Sequence, residues 1–446
     1  MTSCLALSVT TRAAAGAPFT DWSDGVARAA TALPAGDAAE AERASRAALA
    51  SITQGEAGAR ARLLLARALE LEHRPGEAAD QIAAALPSLP VSIVPAARAR
   101  RAAALAASGR PAEAAEAWAL AVPGSDPADR PGLAAAEARA WLAAGEPTEA
   151  ARAAAAGGAD PGARLALGRA WLALGDPRAG PALRSLALER AGDPEGEAAA
   201  RALLDASPGT LSVADRIERA RRLLVATRTA AAVAELDAID AAVGDAPLLA
   251  VLRAMAHLQS GRPADAARVA APVALLPGPG EPAAARYVLA RAAARQGQVD
   301  EAIARYRQVA RERPVVPGLG VQQQADLADD AAFLAAWLPG DAGRHVEVVQ
   351  GLRRFLREHP RARRVPDARW LLAWALLRSG DEAAARVALR DVATRESGNR
   401  RAAALYGQAR SEPDATRSGA LYREAAAEVP GGWYALLAAA RLEERS

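Results

Sequence analysis

Four histidines are the first candidates for metal or acid–base chemistry: His73, His257, His345 and His359. None has a second histidine or cysteine three or four positions away, the spacing that puts two ligands on one helical face. Each is therefore read as structural, and no metal site is predicted. Cys4 is the only cysteine. It excludes an internal disulfide, and no basic neighbour lowers its thiol pKa toward a nucleophile's range. No glycine-rich phosphate loop follows a strand pattern, so no nucleotide cofactor is predicted. The remaining candidate is a dense run of arginines: Arg353, Arg354, Arg357, Arg361, Arg363, Arg364 and Arg369. One reading is a solvated helix face whose arginine stems cover apolar neighbours. The other is a contact surface for an anionic polymer or an acidic partner, with Arg353, Arg354, Arg357 and Arg364 at its centre.

The elements that would position such a surface follow from an internal repeat. A hexapeptide recurs, with a small turn residue first and usually an acid-Ala pair at its end. It reads GRPAEA at 109–114, GEPTEA at 145–150, GRPADA at 261–266, GQVDEA at 297–302 and GDEAAA at 380–385. Weaker copies are HRPGEA at 73–78, GDPRAG at 175–180, TRTAAA at 227–232 and GRHVEV at 343–348. Successive copies lie 30 to 37 residues apart, apart from intervals of 52 and 46 residues that must hold an extra half-repeat or loop.

A period near 34 is that of tetratricopeptide helix pairs. Glycine accepts the left-handed conformation that ends the first helix. Proline two residues later suits the first turn of the second helix, where an acid also meets the positive helix end. The closing alanine lets the two helices approach. The fold class expected is all-α: a right-handed α-superhelix, or solenoid, of tetratricopeptide-like helix pairs. Trp141 and Trp171 each stand four residues before a turn glycine, and equal register predicts equal roles as core knobs. Segments 122–132, 272–282 and 314–321, rich in Pro and Gly, are expected as longer loops.

Composition agrees with this class. Aromatics are only 4% of residues and alanine and leucine dominate, which favours helices with small contact residues. The formal charge is +3, and all 55 basic residues are Arg, nearly balanced by 52 acids. No aromatic-interleaved basic stripe is present, so nucleic-acid binding is not predicted. No apolar run approaches the length of a membrane span. Residues 1–20 read either as a degenerate signal peptide or as a disordered tail: Leu5 to Val9 is a short apolar stretch, and Ala13, Ala15 and Ala17 offer small residues of the cleavage type.

From about residue 325 the sequence resembles the N-terminal superhelical domain of soluble lytic murein transglycosylases. The strings are ADLADDAAFLAAWL (325–338), LRRFLREHPRARRVPDARWLLAWALLRSGD (352–381), AAALYGQAR (402–410) and ALYREAAAEVPGGWYALLAAARL (420–442), the last with the aromatic pair Trp433-Tyr434. The resemblance implies a periplasmic or cell-envelope setting and a superhelix that carries a lysozyme-like domain cleaving peptidoglycan. That domain's chemistry depends on a Glu-Ser pair followed by a Gly-Leu-Met-Gln-like strip. Glu396-Ser397 stands here without that strip and reads as an interhelical loop.

The expectation is thus a leader or tail at 1–20, helical repeats at 21–324, and family-like repeats at 325–446, with the catalytic domain absent and no catalytic residue or cofactor. Its function would be a non-catalytic scaffold linked to peptidoglycan turnover, its partner a protein, a transglycosylase catalytic domain or peptidoglycan itself. The alternative is a general tetratricopeptide adaptor, cytoplasmic or otherwise, holding a protein or peptide in its concave groove. The segment WYALLAAARL at 433–442 is apolar on nearly every face, so it is expected either to pack into the array or to be covered by another domain, with Trp433 and Tyr434 as contact residues.

Overall fold

The computed structural model describes residues 21–52, 54–207, 210–239 and 247–444. The leader or tail expected at 1–20 lies outside them. The described residues form α-helices, short 3-10 turns and loops, with no strand among them.

The chain divides at Leu211/Ser212 into two compact units. The first holds α1 (Asp21–Ala32), α2 (Ala38–Ser51), α3 (Gly55–Leu71), α4 (Pro75–Ala85), α5 (Val94–Ala107), α6 (Pro111–Ala121), α7 (Arg130–Ala143), α8 (Pro147–Ala156), α9 (Pro161–Ala173), α10 (Ala179–Glu189) and α11 (Pro194–Ala206). The second holds α12 (Val213–Val225), α13 (Thr229–Asp237), α14 (Pro247–Gln259), α15 (Pro263–Ala274), α16 (Glu281–Arg295), α17 (Val299–Glu312), α18 (Val321–Trp337), α19 (His345–Glu358), α20 (Val365–Arg378), α21 (Glu382–Arg395), α22 (Gly398–Ser411), α23 (Ala415–Glu428) and α24 (Trp433–Glu443). Within each unit consecutive helices pack together. First helices of successive pairs also touch, as α7 does α9 and α14 does α16. This is an all-α array of tetratricopeptide-like helix pairs.

The hexapeptide is the device that closes each pair. All nine of its first residues have positive φ, from 58° at Thr227 to 83° at Gly380, with His73 at 60°. Two hydrogen bonds then satisfy the last carbonyls of the first helix. In the copy at 109, the Gly109 N–H donates to the Ala106 carbonyl and the Arg110 N–H to that of Leu105; at 145 the bonds run from Gly145 to Leu142 and from Glu146 to Trp141. This is the Schellman arrangement. Proline takes the first turn of α4, α6, α8 and α15. The closing residue is buried with no exposure at Ala78, Ala114, Ala150, Ala266, Ala302 and Ala385, so each second helix meets its neighbour through a methyl group.

The copy at 175 departs from this pattern. There α10 begins only at Ala179, and Leu183 fills the contact instead, lying where a Cβ on Gly168 would come within 2.6 Å. The long interval after Gly175 contains an unpaired helix, α11. The interval after Gly297 contains loop 313–320, held in place by Gln324, whose side chain accepts from the Val316 N–H at 2.8 Å and donates to the Pro314 carbonyl at 2.7 Å. Pro272, expected in a loop, sits in the last turn of α15.

The cores are alanine-rich, with a Leu or Ile in most helices. Leu65, Leu69 and Ile82 anchor one cluster in the first unit. Phe333, Leu352 and Phe355 anchor one in the second, where the two rings meet edge-on at 5.7 Å. Each such side chain contributes roughly 1.5–3 kcal/mol on burial. One polar core breaks the pattern: between α12 and α13, Glu235 accepts from Arg219 at 2.8 Å and from Arg216 at 3.1 Å, with the Arg219 side chain only 1% exposed.

Candidate functional site

The arginine run does not form one surface. It spans the second half of α19, the turn 359–364 and the start of α20, and the fold uses its two ends differently. Arg363 donates to Asp326 at 2.7 Å. Arg364 donates to Asp330 at 2.8 Å and to Asp367 at 3.2 Å, and lies over the Phe333 ring at 5.6 Å. Arg369 pairs with Asp391 at 3.5 Å. These three cations serve the packing of the array, and the charge of Arg364, expected at the centre of a contact surface, is met by two carboxylates.

Two of these acids, Asp326 and Asp330, come from one face of α18. Asp326, Asp329 and Asp330 are three and four residues apart and point at the same turn, where His359 completes the set through a 2.8 Å contact between Nδ1 and Asp329. His359 also stacks on Phe355, with ring centroids 5.1 Å apart. Hydrogen bonds from Gln322 and Arg363 hold the Asp326 carboxyl below the usual carboxylate range. Asp367 accepts in addition from Arg400 of α22 at 2.9 Å, so an alternating ladder Asp330–Arg364–Asp367–Arg400 links α18, α20 and α22.

Arg353, Arg354, Arg357 and Arg361 are different. All four are exposed, and none has an ion pair or side-chain hydrogen bond among the described residues. Leu356 and Pro360, which stand among them in the sequence, line a groove of about 160 Å³ together with Val365, Leu372 and Ala388, with the Arg369–Asp391 pair at its edge.

The aromatic pair at the start of α24 also divides. Tyr434 packs on Tyr406 of α22, with ring centroids 5.8 Å apart, and Ala435 and Ala438 are buried. Trp433 and Leu436 remain 69% and 59% exposed. The helix therefore packs into the array along one stripe and leaves an apolar stripe outside. In the array α20 to α23 lie between it and α19, so the two groups of expected contact residues are not brought together.

The other sequence candidates resolve individually. Glu396 caps the end of α21 and Ser397 precedes the first residue of α22, so the pair is an interhelical turn. Among the described residues no group of histidines, cysteines and carboxylates could hold a metal ion. His73 occupies a left-handed turn slot. His257 is held below the usual imidazole range by burial and by Arg262. Trp141 packs against two core clusters, as expected of a knob. Trp171 is half-buried, as Trp141 is, and carries the Arg178 guanidinium 4.5 Å over its ring.

No family model matches the sequence, and no curated protein does either. Solved structures that share features with the chain include a tetratricopeptide repeat protein from Parabacteroides merdae (11% identity, 70% of this chain and 98% of that one, TM-score 0.26). Others are the C-terminal part of a TPR repeat-containing protein from Cytophaga hutchinsonii (12%, 77% and 98%, TM-score 0.30) and yeast Tom70 (11%, 90% and 96%, TM-score 0.31). At these scores no property of those proteins is carried over, and the helix-pair assignment stands on the repeated turns themselves.

Proposed function

We infer that this chain is a non-catalytic helical-repeat scaffold whose work is to hold a protein partner. The observation that supports this best is the allocation of its polar groups: the turn motifs, the buried Arg–Glu core and the α18–α22 ladder consume charge in building the array. Exposed cations such as Arg139, Arg169 and Arg353 are left unpaired among the described residues. An array of this kind presents long side-chain rows on rigid elements, which suits recognition of an extended partner.

The test is photo-crosslinking in the native cell, with a benzophenone amino acid placed in turn at Arg139, Arg201, Arg307, Arg357 and Arg390. A discrete protein adduct at a subset of these positions supports the reading. Absence of adducts at all five, in a folded and expressed protein, removes it.

A second reading, a scaffold of peptidoglycan turnover in the cell envelope, rests on the 420–442 string and on the exposed Trp433 and Leu436 where that string forms α24. Co-sedimentation with purified murein sacculi separates the two: binding that Trp433→Ala and Leu436→Ser abolish favours this second reading, and no sedimentation removes it.

A further inference from the structure

Arg353, Arg354, Arg357 and Arg361 are not explained by the physics that explains their neighbours. The helix dipole of α19 favours a cation in its last turn, which covers Arg357 alone. Stems laid over apolar surface would leave these residues half-buried, whereas they are exposed. Carboxylates that could satisfy them are engaged elsewhere: Asp326 and Asp330 by Arg363 and Arg364, and Asp391 by Arg369 and, at 2.7 Å, by Arg395. Glu358 is the one acid within this stretch of α19, against four cations.

Helical spacing puts Arg353 one turn from Leu356 on α19, Arg357 is the next residue after Leu356, and Leu356 and Pro360 are floor residues of the groove between α19, α20 and α21. Arg361 follows Pro360 directly. Free cations thus stand beside the α19 side of a mainly apolar slot whose volume suits a single aliphatic or phenyl side chain. None of the floor residues is aromatic, so the slot lacks the stacking platform that single-stranded nucleic acid uses.

We propose that this groove docks an acidic protein segment bearing one apolar anchor, the carboxylates meeting Arg353, Arg357 and Arg361 while the anchor enters between Leu356 and Leu372. The proposal rests on the scaffold reading and assigns it a site and a partner chemistry. Three exposed pairs at a few tenths of a kcal/mol each, together with electrostatic steering, give roughly a tenfold contribution to affinity.

The test uses the full chain and a fluorescein-labelled peptide, Asp-Glu-Asp-Leu-Phe-Asp-Glu-Asp, followed by anisotropy. Binding is expected to weaken at least tenfold in the R353E/R357E/R361E triple variant, and equally when Leu-Phe in the peptide is replaced by Ser-Gly. The R139E/R169E variant, with two exposed arginines reversed elsewhere, is expected to bind as the parent does. Circular dichroism melts of R139E/R169E should superimpose on the parent, and the triple variant should unfold as cooperatively with only the small downward shift expected from an acid in the last turn of α19. Equal binding by the Ser-Gly peptide, equal loss in R139E/R169E, tighter binding of oligothymidylate than of the peptide, or no peptide binding at all each overturns the proposal. Crosslinked partners at other positions would then leave the scaffold reading intact with this site removed. A chain that yields no adducts anywhere fails at the scaffold level instead.

Discussion

Substituting His73 with glycine should stabilise the first unit, and substituting Gly145 with alanine should destabilise it by a similar amount. Both residues occupy the same slot of the repeat, at φ 60° and 80°. A β-carbon at Gly145 would meet nothing within 4 Å, so the alanine variant introduces no clash and the effect is purely one of backbone conformation. Holding an L-residue in the left-handed region costs about 1–2 kcal/mol. Replacing glycine by alanine returns about 0.4–1 kcal/mol by restricting the unfolded chain. The difference leaves Gly145→Ala destabilising by about 0.5–1 kcal/mol, and His73→Gly stabilising by a like amount. The His73 side chain is exposed and makes no hydrogen bond among the described residues, so little else changes. For a unit of this size the expected shift in melting temperature is about 1–4 °C, in opposite directions. Thermal and urea midpoints followed by circular dichroism on the full chain provide the assay. If His73→Gly lowers the midpoint, or Gly145→Ala leaves it unmoved, the left-handed slot does not carry the energy assigned to it.

Three further outcomes are expected. Arg364→Ala removes two ion pairs and the contact with Phe333, and should lower the stability of the second unit by about 1 kcal/mol, while Arg357→Ala, which loses only a charge at the end of α19, should cost about 0.3 kcal/mol. Glu235→Ala removes the carboxylate that Arg216 and Arg219 share in a buried site and should destabilise the second unit by more than Arg364→Ala does, whereas a matched replacement of Arg216, Arg219 and Glu235 by apolar residues should recover most of the loss. Burial raises the Glu137 carboxyl pKa above its ordinary value, so its ionised form is disfavoured in the folded state and stability is lost as pH rises from the unfolded value of 4.5 through the folded one. Glu137→Gln should therefore raise the melting temperature at pH 7 and have little effect near pH 4.

The turns were the most legible part of the fold because the left-handed conformation is restrictive. A residue type that tolerates it, followed by an acid-Ala pair, can be recognised without knowing what packs nearby. The same pattern fits GDAAEA at 36–41, where Gly36 has φ 77° and Ala41 is buried with no exposure, yet the nine copies set out above omit it. The fate of the arginines was not legible in the same way. Whether Arg364 or Arg357 is free depends on which side of a turn faces α18, and its partner Asp330 stands 34 residues earlier in the chain. The three acids of α18 at one-turn spacing were the available signal. The groove beside α19 had no local signature, since its floor is drawn from three helices.

The regular offset of the polar contacts in the first unit bears on how such a chain could fold and change length. The Arg74 side chain reaches Glu42, Arg100 reaches Glu70 and Arg110 reaches Asp80, partners 32, 30 and 30 residues apart. Each pair can therefore form once its immediate neighbour is in place, without waiting for a distant part of the chain, and such low contact order favours fast folding from any of several starting points. The stretch from Arg74 to Gly109 is one period of this pattern, with a turn residue at its end and the buried Ala78 near its start. Inserting a second copy of it in frame would supply its own turn and its own buried alanine and would repeat the Asp80 side of the Arg110 contact, leaving only the copied Arg100 without the acid that Glu70 provides, so growth by duplication would lengthen the array at the cost of one surface ion pair.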